Sequence, residues 1–254
     1  MSHRGMGGTV SVFALGLAVL VVGVTGVTAT GKASQGKNNA NSLVFPPNSH
    51  PYGQTYGEWA AAFWQYALAR PLEGHPFLDT PDYDFAAGQT GRVWFWSAPD
   101  SAADGSHLVR EVSIPKGTAL FLSIRDAEVS SLEEPPFFGA TEAEQREGAN
   151  FFADHIRDVS VTIDGVPVEN LEDYRFETPQ FSFDAPTPWI FGATGGPATA
   201  VGDGYFLMLK PLPVGTHTIH YSGTVHFDAG EFGDEAFDLP HEGTIVLTVV
   251  KAKG

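Results

Sequence analysis

The chain of 254 residues contains no cysteine. Disulfides, thiol nucleophiles, iron–sulfur clusters and cysteine-ligated zinc are therefore excluded, and stability must come from the core alone. Basic residues are scarce. Lys and Arg number 14 against 30 Asp and Glu, for a formal net charge of -16. Phosphate backbones need clustered cations, so nucleic acid is not an expected partner. The acidic balance favours solubility and leaves room for divalent cations. A saline habitat would produce the same bias, so charge alone does not imply metal. Short chemical signatures are also missing: there is no G-x-S-x-G, Walker A, Rossmann fingerprint or H-E-x-x-H. That weakens the case for an enzyme without removing carboxylate-dependent glycosidases, which carry no short signature.

Long apolar runs are limited to one. Val10 to Val27 follows Arg4 and ends at the small residues Val27-Thr28-Ala29. Residues 1–29 are expected to be a signal peptide, with Gly31-Lys32-Ala33 as a second possible cleavage site. An uncleaved anchor is the alternative, because the run approaches the ~20 residues of a spanning helix. Gly16, Gly23 and Gly26 interrupt it. The expected location is periplasmic or extracellular. Residues 30–50 read as a flexible linker of Lys, Asn, Gln, Ser and Gly, and residues 51–254 as one domain starting near Leu43 or Tyr52.

What is present is apolar and aromatic. Hydrophobic residues make up 43% and aromatics 12%, with only 17% charged, which suits a packed core rather than a disordered acidic tail. Thr55 and Glu58 have the spacing of a capping box for a helix from Tyr56 to Ala69, stopped by Pro71. Thr141 and Glu144 repeat it for a helix from Glu142 to Arg157, with Ala149, Phe152, Ala153 and Ile156 as its buried stripe. The rest reads as short strands and turns. These include Val93 to Ser97, Val109 to Ile114, Ala119 to Ile124, Val159 to Val168 turning at Asp164-Gly165, Phe181 to Phe183, Tyr205 to Leu209, Gly215 to Asp228 and Thr244 to Val250. Eight to ten such strands with two accessory helices predict a mainly β fold: a β-sandwich, jelly-roll or immunoglobulin-like.

The stretch Tyr56-Gly57-Glu58-Trp59-Ala60-Ala61-Ala62-Phe63-Trp64-Gln65-Tyr66-Ala67 resembles the opening helix of a family of uncharacterised exported bacterial proteins. Gly88 to Phe95, Ile114 to Phe121 and Gly204 to Leu209 are similar too. The resemblance implies export but no activity. Relatives often carry cysteines near Phe85 and Val112, which implies that these segments meet. Here both positions are apolar.

Several groups of residues are candidates for chemistry. Trp94 and Trp96 share one side of a strand and form either a sugar-stacking platform or a face packed on the first helix. Trp189 follows Pro186-Thr187-Pro188 and precedes a Gly-rich loop, where aromatics often meet ligands. Asp228, Glu231, Asp234, Glu235 and Asp238 form an acidic, Gly-containing loop. Together with His226 it is the best candidate for calcium, although the spacing is not that of an EF-hand; a solvated acidic loop is the plain alternative. His220 and His226 lie on one strand face about 20 Å apart and cannot share a metal on a straight strand; His217 faces the other way. The outer face of an edge hairpin accounts for them equally. Glu58 and Gln65 share a helix face, as an acid beside aromatics or as a cap and a backbone partner. His75 with Asp79, and His107, lie in loops without a nucleophile nearby.

The leading expectation is an exported, non-enzymatic protein that binds a glycan or another surface ligand through Trp189, Trp94 and Trp96. The alternatives are a secreted polysaccharide hydrolase with two carboxyls about 5–10 Å apart, and a structural envelope component. Fold class alone does not separate them.

Overall fold

The computed structural model describes residues 40–78, 83–96 and 108–251. The expected signal peptide, the first part of the expected linker, Ser97, Asp79 and His107 lie outside them. Residues 40–50 belong to the fold rather than to a flexible linker. Ala40–Leu43 is a short 3-10 turn, and Ala40 and Val44 are buried. Phe45 donates its N–H to the Met208 carbonyl at 2.9 Å. The apolar residues among 40–45 give this stretch a reason to lie along the sheet.

Helix α1 (Tyr56–Leu68) starts at the capping box read from the sequence. The Glu58 amide donates to Thr55 Oγ1 at 3.2 Å, and the Thr55 amide donates to Glu58 Oε2 at 2.7 Å. Helix α2 (Glu142–Asp154) repeats it with Thr141 and Glu144, and acidic Glu142 and Glu144 complement the helix dipole there. It ends earlier than expected: His155 caps it, and Ile156 begins a strand.

Among the described residues, ten strands form two mixed sheets packed as a β-sandwich. The first sheet holds β1 (Val93–Trp96), β3 (Ala119–Ser130), β8 (Gly196–Leu209), β6 (Arg175–Glu177) and β7 (Phe181–Ala185), the last two both on β8. The second runs β2 (Leu108–Pro115), β10 (Phe237–Val250), β9 (Gly215–Phe227), β4 (Ile156–Ile163), β5 (Val166–Pro167). Pairings β1–β3 and β2–β10 are parallel and the others antiparallel. The turn at Pro115-Lys116-Gly117 carries the chain from the second sheet to the first. The Asp164-Gly165 turn does make the hairpin expected of it.

The first sheet is the middle layer. Phe95 and Phe121 face α1 and meet Phe63 at 6.2 and 6.3 Å. Leu120 and Leu122, with their β1 partners Trp94 and Trp96, face the second sheet, where Trp96 Nε1 donates to the Tyr221 hydroxyl at 3.0 Å. Phe85 and Val112 are both buried in this core. At the other end of the sandwich, α2 fills the gap between the sheets. Ala149, Phe152 and Ala153 pack with Val129 and Val201 of the first sheet and Val225 and Phe227 of the second.

Candidate functional site

The three tryptophans expected to bind a ligand do not form a surface. Trp96 is 0% and Trp189 2% exposed. Trp94 is half-buried against Phe85, at 5.7 Å between rings, and Trp96 touches the same ring at 5.4 Å. The expected sugar platform is corrected on physical grounds. The β1 face that carries both indoles is the one turned to the second sheet, while Phe95 takes the helix side. Trp189 is likewise drawn inward by Phe183 and Phe191, at 5.9 and 5.6 Å.

The acidic loop joins β9 to β10. His226 lies between Asp238 (Nδ1 to Oδ1, 2.7 Å) and Asp228 (Nε2 to Oδ1, 3.1 Å). Glu231 turns back to accept from the Asp228 amide at 2.6 Å and meets His155 Nε2 at 3.1 Å. The His226 and His155 imidazoles and the Arg157 guanidinium, at 3.5 Å from Asp238, are what these carboxylates meet. Among the described residues no group of three or more Asp, Glu or His converges to hold a metal ion. Asp234 takes no part in the His226 cluster. His220 and His226 do share the outer face of β9, but β9 is an interior strand, not an edge. His220 faces Glu242 and His217 faces Asp164. Glu58 is the cap, and Gln65 donates to the Ser182 carbonyl at 2.9 Å. His75 is buried, with Nε2 against the Ala67 carbonyl, and burial lowers its pKa to about 4.

The same loop helps to enclose a site that the sequence reading missed. A groove of about 340 Å³ is lined by Pro136, Glu144, Glu147, Gly148, Phe151, Phe152 and Phe232. Its base is α2. Phe152 points into the core, whereas Phe151, one position along, stays 38% exposed. Phe232 comes from the acidic loop, is 45% exposed, and stacks on Phe227 at 4.9 Å. Phe137 stacks on Phe152 at 4.6 Å, placing the segment after β3 along the opposite wall. Gly148 lets α2 lie close to β3: a Cβ there would sit 3.0 Å from Val129 Cγ2, a tight contact. His155 pins the loop wall. Its Nδ1 donates to the Phe151 carbonyl at 2.6 Å while Nε2 faces Glu231. Both ring nitrogens face acceptors, which favours the doubly protonated ring. Burial opposes that charge, but these hydrogen bonds and the Glu231 and Asp154 charges raise the pKa overall.

Beneath the other wall lie two carboxyls, Glu128 buried and Glu133 half-buried. Glu128 on β3 is 3% exposed and stands opposite Gly202 of β8 on the α1 side of the sheet. The Trp64 indole occupies the space a Cβ on Gly202 would take, 2.7 Å from Nε1. Trp64 Nε1 and both Glu128 carboxyl oxygens accept or donate no hydrogen bond if Glu128 is ionised. A proton on Glu128 resolves part of this, because it can then donate to Glu133. Burial first, then the Glu133 charge, raises the Glu128 pKa far above the usual carboxylate range, and burial raises Glu133 to about 7. Glu133 acts on Glu128 through its charge and through a side-chain hydrogen bond.

Across α2 a second recess of about 430 Å³ is lined by Asn150, Asp154, Arg175, Glu177 and Asp203. Arg175 is already occupied there, by Asp203 at 2.6 Å and Asp154 at 2.7 Å.

No protein-family model, curated protein or solved structure matches this chain.

Proposed function

We propose that this chain is an exported, non-enzymatic binding protein and that its ligand is a neutral glycan held in the groove between α2, the segment after β3 and the β9–β10 loop. The observation that carries the reading is the pair of exposed rings, Phe151 and Phe232, beside the carboxylates Glu144 and Glu147. Aromatic faces stack on the C–H faces of sugar rings. Carboxylates accept hydrogen bonds from sugar hydroxyls. One ring stands on a helix packed into the core, the other on a loop pinned by His155, so the contacts are preorganised. The volume falls within the roughly 300–1,000 Å³ of small-ligand sites. A net charge of -16 disfavours polyanionic polysaccharides and leaves neutral ones.

Affinity electrophoresis of the protein without residues 1–29, through gels containing neutral polysaccharides, tests this. The expected result is retardation in at least one gel, weakened about tenfold or more by Phe151→Ala and by Phe232→Ala. Unchanged mobility in every gel would overturn the glycan reading. If mobility is unchanged and sedimentation also depends on concentration, a structural component that associates with itself takes its place.

A further inference from the structure

We propose that the groove is closed by protons: each of its two walls is held by a contact that exists only while a proton is bound. This rests on the groove being the binding site, but the contacts themselves are independent of any ligand.

The first wall is the segment Ser131 to Phe138. Ser130 ties both of its ends. The Ser130 amide donates to the Phe137 carbonyl at 3.0 Å, and the Gly139 amide donates to the Ser130 carbonyl at 2.8 Å. Inside this closed turn, Ser130 Oγ donates to Glu133 Oε2 at 2.9 Å and accepts from the amides of Leu132 and Glu133 at 3.3 and 3.2 Å. Glu133 is thereby held against the buried Glu128. The charged groups acting on Glu128 are Glu133 and Asp126, both acidic. From α1 the facing group is the Trp64 indole, and from β8 it is Gly202. Among the described residues, no cation figures in the causes that set either carboxyl. With one proton between them, the carboxyls attract. With none, a carboxylate on half-buried Glu133 meets one on buried Glu128, and the one that can leave is Glu133, on the turn that carries Pro136 into the groove.

The second wall is the β9–β10 loop. His155 bridges it to α2 through Glu231 at 3.1 Å and holds the Phe151 carbonyl at 2.6 Å. The charged groups facing His155 are Glu231 and Asp154. Deprotonation removes one of the two donors, so either the helix end or the loop is released. Glu231 is the ligand of that ring that also orders the loop, through the Asp228 amide.

Both contacts fail in the same direction. They are intact at mildly acid pH and lost as pH rises past neutrality, so the groove holds its shape in acid and loosens in alkali.

Hydrogen exchange measured by mass spectrometry on the folded protein at pH 5.5 and 8.5, expressed as protection factors, tests this without a ligand. Peptides covering residues 131–138 and 228–236 should lose protection about tenfold or more at pH 8.5, while β8 and β9 do not. In Glu128→Gln, a neutral amide replaces the protonated acid. Residues 131–138 should then stay protected at pH 8.5, while 228–236 still loosen. Equal protection at both pH values in the parent protein overturns the proposal, as does the same loss in the variant. Should the variant not fold, the ¹³C carboxyl titration of the parent protein decides. A glutamate titrating near pH 7 supports the pair, and every glutamate titrating below pH 5.5 overturns it. Failure of the glycan gels leaves these readouts untouched, so the two proposals fall separately.

Discussion

Glu128 shows how one residue can set the pH response of the whole chain. In the unfolded chain both glutamates ionise near roughly 4.3. In the folded chain burial raises both, Glu133 to about 7. For an acid shifted upward, the unfolded state releases its proton first as pH rises. Stability is thus full below about pH 4.3 and falls as pH climbs through the folded values. Glu128→Gln removes the group with the larger shift and spares Glu133 a neighbouring charge. Its melting temperature should match the parent's near pH 4 and exceed it at pH 8. A variant no more stable than the parent at pH 8 would show that Glu128 carries no such penalty. Trp64 and Gly202 belong to the same arrangement: the missing side chain at Gly202 is what lets the indole lie over β8 next to the pair.

At the scale of elements, much was legible because local chemistry decided it. Both capping boxes were read from Thr and Glu three residues apart, and both are present. Removing one should act locally. Thr55→Ala is expected to cost about 1 kcal/mol, seen as a lower melting temperature with the sheet spectrum unchanged; no loss would mean that packing of Phe63 and Tyr56 alone holds the helix start. Strand β3 was only half legible. The alternation seemed to end at Ile124, yet the strand runs to Ser130. A bulge between Ser123 and Arg125 changes the side to which successive residues point, so Asp126 and Glu128 lie on the α1 side, opposite Gly204 and Gly202, instead of continuing the Leu120 and Leu122 face toward the second sheet. Period-two reasoning has no access to a bulge that only the partner strand defines. The turn at Lys116-Gly117 between two strands is present as read. Its residues specify a reversal, but not whether the next strand pairs with the last one or crosses to the other sheet.

For the molecule as a whole, the sandwich followed from many short strands and two helices, whereas the site did not. The indoles of Trp94, Trp96 and Trp189 look like surface aromatics only while the layer above them is unknown. The second sheet covers the first two, and Phe183 and Phe191 surround the third. The groove depends on three segments far apart in the chain: α2 at Gly148 and Phe151, the turn at Pro136, and the loop at Phe232. Two local hints were available. Phe151 falls outside the buried stripe of its helix, and Phe232 is an aromatic inside an otherwise acidic loop. The acidic loop reads from sequence as a calcium candidate or a solvated loop. In the structure its order comes from His226 and His155, and it serves as a wall.

The central claim, a glycan seated in this groove, is tested most directly by ¹H–¹⁵N spectra at pH 5.5 during titration with a panel of neutral oligosaccharides. The expected result is a set of saturable shifts confined to Gly148, Phe151, Phe152, Phe232 and the turn around Phe137. Shifts centred on Trp94 or Trp189, or none with any member of the panel, would contradict it.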